Sequence, residues 1–438
     1  MLIYSKNRKL IGIFLAIFIT LIALSPQFSG LNRFPDRIRV IEGKEQTLNL
    51  RIPFNFQLYT KDSGFLTING TALKDKMNVN LKNPLSIRSS RLGTYDLEFR
   101  LFGIIPVKKM KLEVLPEMKV VPGGHSIGVK LRPDGVIVVG IASVIDEKGK
   151  TCYPAKEAGI QVGDTISMVN GYKIYTAEEL SRIVNRDDDK TVTLTIKRNG
   201  KTFQTQLYAV KSKDGIYQIG LWVRDIAAGV GTLTFYDPES GYYGALGHII
   251  SDSDTGRIVE VGQGEIIRAS ITSIAPARKN VPGEKRGVFV EEERVIGNIL
   301  SNTEFGIFGR IYQPVENPYY SEIPVALASF AREGKAQIMT VIDGERIEKF
   351  DIEIQKIIRQ NFPSTKGMII KITDPRLIEK AGGIVQGMSG SPIIQDGHLV
   401  GAVTHVFVND PTRGYGVFAE WMLEEISKLK NERQVSNF

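Results

Sequence analysis

Gly383-Ile-Val-Gln-Gly-Met-Ser-Gly-Ser-Pro-Ile-Ile394 is the stretch on which the reading of this 438-residue sequence turns. Apolar pairs on either side of a Gly/Ser loop describe a strand, a sharp turn and a second strand. A serine hydroxyl is a poor nucleophile unless a base takes its proton and nearby donors hold the developing oxyanion. Gly387 lets the loop turn so that its own N–H and that of Ser389 can face one point, and Gly390 leaves room beside them. Ser389 is therefore the candidate nucleophile, with the Gly387 and Ser389 N–H groups as the candidate oxyanion hole.

The loop Gly-x-Ser-Gly-x-Pro resembles the nucleophile loop of trypsin-like peptidases, with Met388 where an acid or amide is commoner and Ser391 where glycine is. That resemblance asks for a histidine far upstream. Of the four histidines, His248 lies in Gly241-Tyr-Tyr-Gly-Ala-Leu-Gly-His-Ile-Ile-Ser-Asp252, between a glycine-rich strand and a polar run, 141 residues before Ser389. That separation suits two barrels facing each other across a cleft, one carrying the base and the other the serine. His125 belongs to a different loop, His398 follows an Asp-Gly turn, and His405 follows Ser389 too closely for this order and is expected to pack on the next strand. Short strands with turns at regular spacing from 213 onward predict a β-barrel domain over 213–438, with a closing helix over 420–430.

Upstream, Val121-Pro-Gly-Gly-His-Ser-Ile-Gly-Val129, then a strand over 135–145, Ala155-Lys-Glu-Ala-Gly159 and Asp164-Thr-Ile-Ser-Met-Val-Asn-Gly171 follow the element order of a PDZ domain, which the sequence resembles over 117–210. Thr176 supplies a helix N-cap for 177–184. In that family a glycine-rich loop offers backbone N–H groups to a peptide carboxylate while the peptide adds a strand. The matching positions are Ser126, Ile127, Gly128 and Val129, where Ser126 replaces the usual first glycine.

Residues 33–115 alternate apolar and polar residues over short stretches and predict a small all-β domain without a chemical motif. Before it, Lys6, Arg8 and Lys9 precede a 15-residue run, Leu10 to Leu24, whose only polar member is Thr20. This is the basic-then-apolar pattern of an export signal or membrane helix, expected over 1–32, with Pro26 disfavouring cleavage after Ser25. The fold class is thus mainly β, with a membrane segment, a small β domain, a PDZ domain and a double-barrel peptidase domain.

Composition narrows the function classes. The 56 basic and 48 acidic residues are interleaved along the chain, so the net charge of +8 makes no basic stripe and argues against nucleic acid. The single cysteine, Cys152, allows no internal disulfide, and the scattered histidines give no metal motif, so no metal and no cofactor are expected.

Gly244-Ala-Leu-Gly-His248, Gln386-Gly-Met-Ser-Gly-Ser-Pro-Ile-Ile394 and Gly401-Ala-Val-Thr-His-Val-Phe-Val-Asn-Asp-Pro411, behind a PDZ module and an N-terminal apolar segment, resemble the stage IV sporulation protein B peptidase family over nearly the whole chain. The resemblance implies a self-cleaving serine endopeptidase exported from the forespore into the intermembrane space. There it would cut the regulator of a membrane-embedded metalloprotease that processes pro-sigma-K. By the same resemblance the third triad member is Asp374, in Ile372-Thr-Asp-Pro-Arg376. Asp252 and Asp254 are its rivals, and Asp374-Pro375 is also a good helix cap. Two other readings stand beside this one: a PDZ-bearing quality-control protease, and a binding scaffold on an inactive peptidase fold.

Overall fold

The computed structural model describes residues 35–436 except 51, 53, 63, 187–189, 290–294 and 359–361. The apolar segment expected over 1–32 lies outside them. Among the described residues no helix is long and apolar enough to cross a membrane. The chain divides into two compact units, Met1–Met118 and Lys119–Phe438.

Among its described residues the first unit is all β, as the alternation over 33–115 predicts. One sheet orders the strands Arg37–Ile41, Ile105–Leu115, Gly93–Leu101, Asn55–Thr60 and Lys76–Asn80, its first pair parallel, and a four-stranded sheet centres on Leu85–Ser89. Alternate residues of both, among them Val40, Leu58, Ile87, Leu97, Phe99 and Leu112, share one buried core.

In the second unit, Gly334–Val341, Ile347–Ile357, Met368–Ile372, Pro392–Gln395, His398–Phe407 and Asp410–Phe418 form a closed six-stranded barrel. The other large sheet runs through Glu284–Phe289, Gln263–Ala275, Ser126–Arg132, Ala227–Tyr236, Tyr242–Ala245, Gly306–Arg310 and Ser301–Thr303. Strand Val295–Asn298 pairs with Gln263–Ala275 and is bridged from Gly297 to Ile311, which curls this sheet back on itself. The terminal helix Ala419–Ser436 starts where the sequence places it and runs further.

The PDZ-like module is a separate sheet, ordered Lys201–Tyr208, Thr191–Arg198, Thr165–Val169, Val136–Ile141, Leu221–Arg224, beside the helix Ala177–Val184. Thr176 caps that helix, accepting from Glu179 N at 3.1 Å, while the Glu179 carboxylate accepts back from the Thr176 N–H in a capping box. The Asn170-Gly171 turn, with φ of +49° and +80°, closes the hairpin Thr165–Val169/Tyr172–Lys173.

Two expectations need correction here. Ser126–Val129 is not a free PDZ loop: the strand Ser126–Arg132 pairs on one side with Ala227–Tyr236 and on the other with Gln263–Ala275. A strand laddered on both edges has no backbone donors left for a carboxylate. The boundaries shift accordingly. Residues 119–132 contribute strands to the curled sheet, and the PDZ-like sheet, 136–224, is inserted between two adjacent strands of it. Chain order hid this, because a glycine-rich strand preceding a PDZ pattern reads as part of that pattern.

Candidate active site

The nucleophile loop is clamped to the curled sheet by two threonines. Thr232 donates its N–H to Ser389 O at 3.0 Å and its hydroxyl to Gly387 O at 2.7 Å, and the Thr234 hydroxyl donates to Gly390 O at 2.8 Å. Met388 N donates to Val385 O at 3.1 Å and Gly390 N to Val403 O at 2.8 Å. Among the described residues, the N–H groups of Gly387 and Ser389 have no such acceptor. Two uncommitted donors therefore flank the serine, in a loop whose carbonyls and neighbouring N–H groups are all used, which is what an oxyanion hole requires. Gly387 sits at φ +91°, a conformation other residues rarely adopt.

The histidine segment meets this loop. A side chain at Gly390 would collide with Thr232 O at 2.1 Å and Leu246 N at 2.5 Å, so only glycine lets the two segments touch. Gly247, beside His248, sits against Thr404, whose methyl carbon lies 3.0 Å from where a Cβ would stand. The Ser389 hydroxyl donates to Thr404 O at 2.8 Å.

His248 Nδ1 lies 2.8 Å from Ile249 O. A carbonyl only accepts, so Nδ1 carries the proton and Nε2 presents its lone pair, the tautomer a general base needs. Burial lowers the His248 pKa, partly countered by the Ile249 carbonyl, and so favours this neutral form. His405, expected to pack on a strand, is exposed and lies against His248 with ring centroids 5.3 Å apart. Its pKa is also lowered, first by partial desolvation of the ring and then by His248.

The three acid candidates are engaged elsewhere. Asp374 caps the helix Pro375–Ala381, accepting from Arg376 N at 3.0 Å and pairing with the Arg376 guanidinium at 2.8 Å and 3.1 Å. It also accepts from Asp351 N at 3.3 Å. Arg376 chiefly holds its carboxyl below the usual range. Among the described residues no hydrogen bond or ion pair joins it to His248, whose Nδ1 lies against Ile249 O instead; an orienting role for Asp374 is what the resemblance implies.

Asp252 is buried, accepts from Thr255 N at 2.8 Å and the Thr255 hydroxyl at 2.9 Å, and pairs with Arg224 at 2.7 Å. Arg224 also pairs with Asp254. Arg224 ends the last strand of the PDZ-like sheet, so these acids tie that module to the segment following His248. Arg257, which donates to Gly163 O at 2.9 Å, and the pair Lys197–Glu260 make the same connection.

Sequence reasoning missed three features. Thr232 and Thr234 carry no motif. Lys285 is fully buried, donates from Nζ to Thr340 Oγ1 at 2.6 Å and packs its stem against Gly387, where a Cβ would stand 3.1 Å from its own. Burial lowers its pKa to about 7. Third, the open edge of the PDZ-like sheet is Leu221–Arg224, tied to both ends of the helix Ala177–Val184. Asp225 accepts from Ala177 N at 3.1 Å, and the Asn185 side chain accepts from Tyr217 N at 2.8 Å and donates to Tyr217 O at 3.1 Å. Ile219-Gly220-Leu221 before that strand is an apolar-Gly-apolar signal that could have found it.

Barrel, clamped serine loop and inserted module define a PDZ-bearing peptidase. Residues 215–423 match the family model "SpoIVB peptidase S55" and residues 148–198 a PDZ domain model. The chain thus carries a SpoIVB peptidase S55 domain behind a PDZ domain. Curated relatives include the "Putative zinc metalloprotease SAR1238" of Staphylococcus aureus strain MRSA252, 34% identical over 61 residues, 14% of each chain. A second, the "Putative zinc metalloprotease SACOL1281" of S. aureus strain COL, is 30% identical over 67 residues, 15% of this chain and 16% of its own. The chain thus spans about a seventh of the length of these relatives. Solved structures include the active form of the Rv3671c protease from M. tuberculosis, at 15% identity and TM-score 0.27 over 46% of this chain and 74% of that one. The inactive form matches at 14% identity and TM-score 0.27 over 45% and 83%.

Proposed function

We propose that the chain is a serine endopeptidase in which Ser389 attacks the peptide carbonyl, His248 takes and returns the proton, and the N–H groups of Gly387 and Ser389 hold the oxyanion. The pair of uncommitted N–H groups around Ser389 is the observation that carries this reading. Ile249 O does the tautomer-fixing work that an aspartate does in the common triad. Attack begins with the Ser389 hydroxyl leaving Thr404 O for a histidine nitrogen.

The S55 domain match supports the finer reading: a sporulation signalling enzyme, exported from the forespore into the intermembrane space and held to the membrane by the apolar segment 10–24. Its substrates would be itself and the regulator of the metalloprotease that processes pro-sigma-K. The PDZ ligand would be a peptide adding a strand along Leu221–Arg224, with 218–221 as the loop at its carboxylate. Neither nucleic acid nor a cofactor has a part in this mechanism.

Reaction of the purified chain with a fluorophosphonate probe tests the chemistry. The expected result is one adduct at Ser389, absent after His248→Ala; a folded chain that takes up no probe is a scaffold instead.

A further inference from the structure

Among the described residues, five hairpin turns have two consecutive residues at positive φ ending in glycine, the geometry of a tight turn that Asn-Gly or Asp-Gly best satisfies. Four use such a pair: Asn69-Gly70, Asn170-Gly171, Asn199-Gly200 and Asp396-Gly397. The fifth, joining Gly93–Leu101 to Ile105–Leu115, is Phe102-Gly103, with φ of +53° and +75°. A bulky aromatic is strained in this conformation. Nor does the core select it, since Phe102 is 78% exposed, with Ile104 at 80% and Ile105 at 54%. Neither backbone nor packing accounts for an apolar tip, Phe102-Gly-Ile-Ile-Pro106, standing in water.

The register of the sheet supplies its surroundings. Arg37–Ile41 runs parallel to Ile105–Leu115, Arg37 opposite Lys111 and Ile41 opposite Leu115. The chain entering at Arg37 therefore comes from the end of the sheet that bears the tip. That entering chain is the apolar run Leu10 to Leu24 and twelve residues, 25–36, able to span at most about 40 Å. The tip stands seven residues beyond the Lys111 level, about 23 Å further in the same direction. The charges around it are basic in balance: Asp36 is paired with Lys108 and Glu98 with Arg100, while Lys109 and Lys82 are exposed without an ion-pair partner among the described residues.

We infer that the Phe102–Pro106 hairpin tip is a second membrane contact, its apolar side chains dipping into an anionic lipid surface beside the segment that tethers the chain. The inference rests on the reading of residues 10–24 as a tether. With one tether the first unit would pivot freely; a second contact fixes its orientation on the bilayer.

The test uses the full-length chain with Cys152→Ser and a spin label at Ile104→Cys, or at Glu42→Cys at the other end of the sheet, on vesicles of phosphatidylcholine with phosphatidylglycerol. Co-sedimentation reports the tether. The label at 104 is expected to gain collisions with membrane-dissolved oxygen and lose them with a water-soluble nickel chelate several-fold, the label at 42 unchanged. Co-sedimentation with both labels equally open to the chelate overturns the tip contact and leaves the tether; no co-sedimentation removes both. Phe102→Asn should keep or raise the melting temperature while weakening the oxygen effect, whereas a Phe102 needed for folding would lower it.

Discussion

The Ser389 hydroxyl donates to the carbonyl of Thr404 at 2.8 Å, and the residue after Thr404, His405, lies against His248. The serine is thus parked on backbone beside an imidazole pair.

His248 and Asp374 should separate in mutant kinetics. His248→Ala should lower kcat/KM by about 10³-fold or more. Asp374→Asn, which keeps an N-cap and loses the Arg376 ion pair and the Asp351 N–H bond, should stay within about tenfold of wild type. A loss as large as that of His248→Ala would return the orienting role to Asp374.

The pH profile follows from burial. Because His248 has a folded pKa below 6.5, it stays neutral as pH falls past that value, so the acid limb of kcat/KM should lie below pH 6.5. A limb above 6.5 would mean that the base is stabilised as its cation, by an acid this geometry does not supply.

Lys285 is a buried amine without a carboxylate partner among the described residues. Its folded pKa of about 7 lies under the ordinary 10.5, so the unfolded chain binds more protons between those values and stability rises with pH across that window. Lys285→Met with Thr340→Val should stabilise the protein by about 1–4 kcal/mol at pH 7. Denaturant melts should show that gain shrinking towards pH 10. Destabilisation at pH 7 would show that the amine has a partner when folded.

Arg224→Ala removes the cation between Asp252 and Asp254 and leaves the buried Asp252 carboxylate without its counter-charge, which costs on the order of 1–3 kcal/mol. Amide exchange should quicken over 249–260, and kcat should fall more than KM rises, because the affected segment directly follows the base His248. Unchanged exchange there would mean that the PDZ module does not brace the histidine.

The conformation of the candidate nucleophile loop was legible in the sequence because it is local. Gly387, Ser389 and Gly390 lie within four consecutive residues, and their turn follows from glycine geometry alone. The Thr176 cap and the Asn170-Gly171 turn were readable for the same reason. What escaped depends on distant partners. Ser126–Val129 looked like an open loop because its two flanking strands come from 227–236 and 263–275. Two local contacts escaped as well, because residue type does not give the rotamer: the Asp374 carboxylate turns to Arg376, two residues on, and the Ile249 carbonyl accepts from its neighbour His248. Lys285 reads as an ordinary charged residue on a β-strand until the fold buries it.

Intact mass spectrometry of the purified wild-type chain beside Ser389→Ala tests the central claim most directly. Discrete fragments, from cleavage at one or two sites, should accumulate in the wild type and be absent from the variant, with both chains showing the same thermal unfolding. The same fragments from a folded Ser389→Ala chain would contradict the assignment of Ser389 as nucleophile.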